Sequence, residues 1–337
     1  MHAVILGAGG SGLLHALAFR AAGVHVAAVY DPDGERARLL ADLCGAKVVD
    51  SLASATSVDA VIAAVCSPPS AHVEQAEALF ASASERVVFV EKPVATTRAE
   101  LERMRALPRC VPVLQWRAGR ALRALRRVVE LGELGVTPAV SCDLAWARDD
   151  DYLRARRGWG CGAVLSIGIH ALDAMSWALG RVIESVAGLA DYSRRIDGGQ
   201  RVGGETAAVA ALRFEGSAIG SLRISVDGGD DATRIAICGG GKTARLEGRE
   251  ADPTSGVLRW SSSNARDRER LEALERSTSG ALGSPLLVPY LGAATRALRD
   301  GESPGESERL PSIADTFAAH AAAMHVAEPS SRTARPG

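Results

Sequence analysis

His2-Ala3-Val4-Ile5-Leu6-Gly7-Ala8-Gly9-Gly10-Ser11-Gly12 opens the chain as a short apolar run that breaks into glycines and leads into a helical pattern over Ser11–Ala22. A strand, a turn with this glycine spacing and a helix together form a place for an anion, because the N–H groups at a helix start have no partner within the helix. Gly7 permits the tight turn, Gly9 lets the backbone approach a pyrophosphate, and Gly12 allows the helix to pack closely on the strand, with Gly10 and Ser11 at the helix start. Asp31 ends a second strand, Val24–Tyr30, 19 residues after Gly12, where a carboxylate would accept both ribose hydroxyls of an adenosine. Turn and carboxylate together point to a dinucleotide. A glycine-rich turn at a mononucleotide or flavin site, or at none, is the competing reading. A carboxylate there repels a 2′-phosphate and favours NAD. Arg36 and Arg38, close behind, would partly offset that repulsion and keep NADP open.

Working outward, the first third alternates short apolar strands with helices. Asp33–Cys44 and His72–Ala83 read as helices, and Ala60–Cys66 and Val87–Val90 as strands. Fully apolar strands alternating with helices imply a parallel sheet covered on both faces. Leu101–Leu107 and Leu122–Leu131 are helical. Beyond about residue 136 the pattern becomes strand-rich: Ala139–Ala147, Ile183–Tyr192, Thr206–Phe214, Ala218–Val226, Thr233–Cys238, Thr243–Gly248 and Val257–Ser261. Several of these alternate as an antiparallel sheet wet on one face would. Helices Ile169–Leu179, Leu286–Leu298 and Ile313–Ala327 complete the pattern. The expected fold class is α/β, an α/β domain at 1–117 followed by an α+β domain at 118–327, with a frayed tail at 328–337.

The composition of the 337 residues, 47% hydrophobic and 23% charged, is that of a soluble globular protein. With 39 basic against 40 acidic residues, no net field attracts nucleic acid or an anionic membrane. No apolar run reaches the roughly 18 residues of a spanning helix, and the N-terminus lacks the basic start of a signal peptide. Six cysteines never fall two or three positions apart, so neither a zinc knuckle nor a dithiol pair is expected, and no metal is assigned. They read as buried thiols in a reducing cytoplasm. Only Lys47, Lys92 and Lys242 are lysines. Each merits a look, because Lys can release its proton and Arg cannot.

Two further stretches follow parallel strands: Ser67-Pro68-Pro69-Ser70-Ala71-His72 and Glu91-Lys92-Pro93. Open α/β sheets bind ligands at these carboxyl ends, and Pro93 invites a cis bond after Lys92. Read alone, a Lys-Pro pair after a strand is a turn. With the Gly7–Gly12 turn, Asp31, and the segment Gly160-Cys161-Gly162-Ala163-Val164-Leu165-Ser166-Ile167-Gly168-Ile169-His170-Ala171-Leu172-Asp173, these residues resemble the glucose–fructose oxidoreductase/inositol dehydrogenase/rhizopine-catabolism (Gfo/Idh/MocA) family over nearly the whole chain. The last segment looks like that family's GGGxxxDxGxHxxD signature.

The resemblance implies an N-terminal Rossmann domain and a C-terminal domain with a large open, mainly antiparallel sheet, which often pairs with a partner's sheet in dimers and tetramers. It implies an NAD(P)-dependent oxidation of a secondary alcohol, or reduction of the ketone, on a sugar, cyclitol or nucleotide sugar. The family's EKP lysine falls on Lys92 and its histidine on His170, while Ser67, Pro68, His72 and Glu91 would line the nicotinamide ribose. Hydride removal from an alcohol leaves a proton to be taken up. Free Lys is almost fully protonated at pH 7, so desolvation and a positive nicotinamide ring would have to favour the neutral amine.

The signature's aspartate is Ser166 here. A serine can orient an imidazole but cannot balance its charge, and Ser166 also reads as the N-cap of the following helix. His170 could instead recruit Asp173, three residues on. Lys92 is then expected to do most of the proton work, with His170 binding the substrate hydroxyl. Arg117, Tyr152 and Arg154 are candidate substrate contacts. Arg154, Arg156 and Arg157 could clamp an anion, or pair with Asp149–Asp151 as a solvated loop. Trp116 could stack on a sugar face or pack in the interior. Asp191, Tyr192 and Arg223 are pocket or interface candidates. A dinucleotide-binding regulator without chemistry and an NAD-dependent glycoside hydrolase of the same fold are the alternative functions.

Overall fold

A computed structural model describes residues 1–328 except 137, 156, 229, 230, 250, 251, 281–284 and 308. Arg156 and all but the first residue of the expected tail lie outside the described residues. The chain divides into two compact units, one made of Met1–Gln115 with Pro285–Phe317, the other of Trp116–Ser284 with Ala318 onward. This is not the linear division expected. Residues 285–317 return to the first unit because helix Leu287–Arg299 packs on the helix that follows the glycine turn, and Tyr290 donates its hydroxyl to the Pro112 carbonyl at 2.7 Å.

The first unit holds a six-stranded parallel sheet among the described residues, ordered β3-β2-β1-β4-β5-β6. The strands are β1 (His2–Leu6), β2 (His25–Tyr30), β3 (Lys47–Val48), β4 (Ile62–Val65), β5 (Val87–Val90) and β6 (Cys110–Pro112). Strand order reverses between β1 and β4, which opens a crevice at the carboxyl edge. Register places Leu6 beside Tyr30 and Val65, and Val65 beside Val90. Gly7, Asp31, Ser67, Glu91 and Lys92 therefore all emerge along one edge.

Five helices accompany these strands: α1 (Gly10–Ala21), α2 (Gly34–Cys44), α3 (Leu52–Thr56), α4 (His72–Ser82) and α5 (Arg98–Arg105). Asp33 caps α2 through Glu35 and Arg36, and Thr97 with Glu100 forms a capping box on α5. These local signals agree with the apolar pattern, so the element boundaries fall close to those read from sequence. The two-residue β3 and one-and-a-half-turn α3 carry too few residues for periodicity to reveal them.

In the second unit β7 (Ala139–Ala145), β8 (Ile183–Asp191), β11 (Ala207–Phe214), β12 (Ile219–Ser225), β13 (Ala232–Gly239), β14 (Lys242–Arg249) and β15 (Asp252–Ser262) form a sheet ordered β15-β14-β13-β7-β12-β11-β8, while β9 (Arg195–Ile196) and β10 (Gln200–Arg201) make a separate ribbon. All neighbours in the large sheet are antiparallel except β7 and β12. The helices are α6 (Arg120–Glu130), α7 (Asp150–Ala155), α8 (Ile169–Leu179) and α9 (Ala265–Ser277). α6 packs on α8 and α8 on β7. Ala208, Ala210, Leu212, Leu222 and Ile224 are buried, whereas the alternate row Leu189, Val209 and Arg223 is exposed.

α9 was invisible to periodicity because its sequence, ARDRERLEALERS, buries only Leu271 among its residues. The reading of every cysteine as buried needs correction: Cys66, Cys110 and Cys142 are buried, Cys44 and Cys161 half-buried, and Cys238 exposed on β13. No helix among the described residues is long and apolar enough to cross a membrane.

Gly12 lets α1 lie close against the turn that follows β1. A Cβ there would lie 2.0 Å from the Gly7 carbonyl oxygen, so the backbone would have to part. Gly12→Ala is expected to cost about 3 kcal/mol of unfolding free energy, measured by urea denaturation; a loss below about 0.5 kcal/mol would show that α1 can move away freely.

Candidate active site

Loops at the carboxyl edge of the first sheet carry the predicted cofactor residues. Gly7, at φ 98°, donates its N–H to the Tyr30 carbonyl at 2.8 Å, and a Cβ on it would sit 2.6 Å from the backbone of Cys66 and Ser67. Gly9 precedes α1 in an extended conformation with no side-chain cap, and the first turn carries no acidic residue. A Cβ on Gly9 or Gly10 would meet nothing within 4 Å. The helix start, with Ser11 half-buried, thus presents unprotected amides to open space, the arrangement that suits a pyrophosphate.

Asp31 accepts from Ala8 N at 2.7 Å and from Asp33 N at 2.8 Å, which fixes its carboxylate beside that turn. Arg36 pairs with Asp33 at 3.1 Å. The turn and Asp31 fit a dinucleotide: amides for the pyrophosphate, a carboxylate for the ribose.

The next two loops are pinned to each other. His72 is 1% exposed, and its ring nitrogens lie 2.8 Å from the carbonyl oxygens of Pro93 and Ser67. Burial pushes the His72 pKa down, against the pull of those carbonyls and of Glu91. The geometry gives His72 a bracing place under the loops. Ser67 donates its hydroxyl to Gln75, and Pro68 leads into the short turn Pro69–Ala71. The Lys92–Pro93 bond is cis.

Lys92 is half-buried, and its N–H donates to Glu91 Oε2 at 3.3 Å. Glu91 Oε1 lies 3.0 Å from Nε2 of His15, a fully buried residue of α1 that the sequence reading passed over. Its signal was a polar residue on the same helical face as Gly12, Ala16 and Phe19, where a core residue belongs. Burial alone would raise the Glu91 carboxyl, but the hydrogen bond and electrostatic pull of His15, with Lys92 and His72, hold it below the ordinary value.

In the second unit, His170 is buried and stacks on Trp116, ring centroids 5.1 Å apart and planes at 13°. Trp116 also packs against Trp146. Asp173, the expected alternative partner of His170, gives both oxygens to Arg117: Nε reaches Oδ2 at 2.9 Å and Nη2 reaches Oδ1 more closely still. Both are buried, so the Arg117 charge is met inside the protein.

Ser166 is not an N-cap. It lies inside a π-helical turn, Val164–Gly168, that runs into α8, and its hydroxyl donates to the Gly162 carbonyl at 2.6 Å. Arg154 pairs with Asp151 and Asp197, and Arg223 with Asp143 at 2.7 Å. Tyr192 donates to the Ala327 carbonyl; burial and nearby Glu205 and Glu328 push its pKa up to about 12. Tyr152 lies under the Arg148 guanidinium, 4.7 Å from its ring. Tyr152 and Ser166 line a pocket with Leu153, Ile167, Val226 and the buried Glu205, a residue the sequence did not single out. Among the described residues no cluster of three or more His, Cys, Asp or Glu could hold a metal.

Residues 1–111 match the model of the Gfo/Idh/MocA oxidoreductase family with an NAD-binding Rossmann fold, and residues 122–245 match that family's C-terminal domain. The chain belongs to the Gfo/Idh/MocA family. Its first unit is accordingly the NAD-binding domain of an oxidoreductase. No curated protein matches.

Among solved structures, the family fold recurs in the WlbA dehydrogenase from Bordetella pertussis in complex with NADH and UDP-GlcNAcA, at 21% identity and TM-score 0.80, covering 97% of this chain and 94% of that one. UDP-N-acetylglucosamine 3-dehydrogenase GnnA from Acidithiobacillus ferrooxidans gives 16% and 0.73, covering 97% and 96%. Levoglucosan dehydrogenase in complex with NADH and levoglucosan gives 16% and 0.77, with the same coverage. These likenesses are of fold.

Because the Glu91 carboxyl is lowered in the folded state, its contribution is present above the ordinary Glu value, about 4.3, and is lost as pH falls through the folded value. Glu91→Gln is therefore expected to be less stable than wild type at pH 7, with the gap closing below about pH 4. Denaturant unfolding across that range checks it; a gap independent of pH would show that charge plays no part.

Proposed function

We propose that the protein interconverts a secondary alcohol and a ketone on a sugar, cyclitol or nucleotide sugar, with NAD preferred over NADP and Lys92 as general acid/base. The observation that carries this reading is the alignment of the open glycine turn, Asp31 and Lys92 along one edge of one parallel sheet. Bound NAD supplies the hydride acceptor. Gly9, Gly10 and Ser11 would hold its pyrophosphate through their amides, and Asp31 would take the adenosine ribose. The Asp31 carboxylate disfavours a 2′-phosphate, and Arg36 is engaged by Asp33.

The Lys92 amine accepts the hydroxyl proton during oxidation and returns it to the carbonyl oxygen during reduction. Glu91, held by His15, fixes the backbone of Lys92. His170, oriented by its stack on Trp116, hydrogen-bonds a substrate hydroxyl. The ligands named with the similar structures, a nucleotide sugar and levoglucosan, support the alcohol-bearing carbohydrate class.

Incubation with NAD and a panel of sugars, cyclitols and nucleotide sugars should give net NADH. Lys92→Ala is expected to lower kcat by about 10²–10⁴-fold, with NADH binding within about twofold of wild type; wild-type turnover in this variant would refute the lysine assignment.

We further propose that the exposed face of the large sheet pairs with a second copy of the chain. Its central row, Leu189, Val209, Arg223, Asp143 and Arg234, runs in register over five strands, with Leu189 59% and Val209 49% exposed. Sedimentation should give a mass of at least twice 35.1 kDa for the wild type and a shift toward the monomer for Val209→Glu. A monomeric wild type would remove this proposal.

A further inference from the structure

Glu205 is 3% exposed, yet it lines the pocket that holds Tyr152 and Ser166. Its carboxylate sits on the N-terminus of the helical segment that begins at Ala163 and carries His170. Oε1 accepts from Val164 N at 2.7 Å, and the Leu165 N–H also bonds the carboxylate. The Glu205 main-chain carbonyl accepts from Ala163 N at 2.8 Å, and Ser166 N donates to the Gly162 carbonyl. The orphan donors of this helix start are thus satisfied from within the chain, most of them by one residue.

The approach is close enough to dictate sequence. A Cβ on Gly162 would lie 2.1 Å from Glu205 Oε2, and one on Gly204 would lie 2.7 Å from the Gly162 Cα. A helix N-terminus opening on a pocket is a ready place for a phosphate or carboxylate. Here the protein's own carboxylate occupies it.

Two cations on neighbouring segments are met by carboxylates in the same way. Arg154, on the helix that supplies Tyr152 and Leu153, pairs with Asp151 and Asp197, and Arg194 pairs with Asp150 and Asp227. Arg148 spreads over the rings of Trp146 and Tyr152. The pocket otherwise offers the apolar Leu153, Ile167 and Val226, and the hydroxyls of Ser166 and Tyr152.

We infer that Glu205 is a specificity-determining residue: its carboxylate fills the position an anionic ligand group would take and restricts the pocket to neutral, hydroxyl-bearing ligands, such as unphosphorylated sugars and cyclitols. The inference rests on reading this pocket as the substrate site of the proposed dehydrogenase. A hydroxyl can donate to the carboxylate; a phosphate or uronate beside it meets like charge.

The test is equilibrium binding to the full chain saturated with NADH, by calorimetry, using matched probes: glucose against glucuronate and glucose 6-phosphate, and myo-inositol against its 1-phosphate. The neutral member of each pair should bind wild type at least about tenfold more tightly. Glu205→Gln, which keeps the shape and an acceptor oxygen, should narrow the ratio to within about threefold by strengthening the anionic member. Anionic probes bound as tightly as neutral ones by wild type, binding by no probe, or an unchanged ratio in a folded Glu205→Gln would overturn the inference. The wild-type ratio decides alone if the variant does not fold. Failure of the dehydrogenase reading has a different signature: the ratio persists while none of the neutral probes yields NADH with NAD.

Discussion

One buried hydrogen bond, from His15 to Glu91, ties the helix after the glycine turn to the strand end that carries Lys92. His15 belongs to the helix that follows the glycine turn, and Glu91 precedes Lys92. A polar pair in such a place is costly to desolvate, and breaking one partner away costs far more than the pair contributes. The pair therefore acts chiefly as a constraint: α1 cannot shift along β1 without stranding a carboxylate, and Lys92 cannot leave its strand end without dragging that carboxylate along. His72 repeats the device one strand over, bridging the carbonyls of Ser67 and Pro93. The positions of Asp31, Ser67 and Lys92 follow from register, but their permanence follows from these interior polar ties.

The second unit handles charge in the same spirit. Arg117 and Asp173, both plausible ligand contacts when read from sequence, meet each other in the interior and lock the segment after β6 to α8. That bond engages both Asp173 oxygens, and the His170 ring stacks on Trp116. Where a related signature carries an aspartate, Ser166 donates its hydroxyl to the Gly162 carbonyl. Negative charge is still present near this helix, but it enters from another strand's approach, through Glu205.

Most of the first unit was legible because β1, β2, β4 and β5 are short, largely apolar runs that alternate with helices, some headed by a cap residue such as Asp33 or Thr97. The glycine turn, Asp31 and the Glu91-Lys92-Pro93 stretch could be read because their spacing is local and the chemistry demands those residue types. What escaped is non-local. No pattern in the sequence joins His15 to Glu91, Arg117 to Asp173, or Glu205 to Val164, since these partners are 76, 56 and 41 positions apart. The helix Ala265–Ser277 escaped for the opposite reason: it is stabilised by its cap and charged surface, and contributes one buried leucine where an apolar stripe would have announced it.

The first unit is assembled from two separate stretches of the chain, since Leu287–Arg299 lies against α1 and Arg299 reaches the carbonyls of Ala22 and Gly23. A ribosome therefore releases the complete nucleotide-binding half only after the whole of the intervening 116–284 segment has been synthesised. Until then α1 carries an uncovered flank, and a gene fragment ending near residue 115 would inherit that defect permanently. Each unit is split along the chain, 116–284 lying between the two parts of the first and 285–317 between the two parts of the second, so neither can be inherited by recombination at a single crossover.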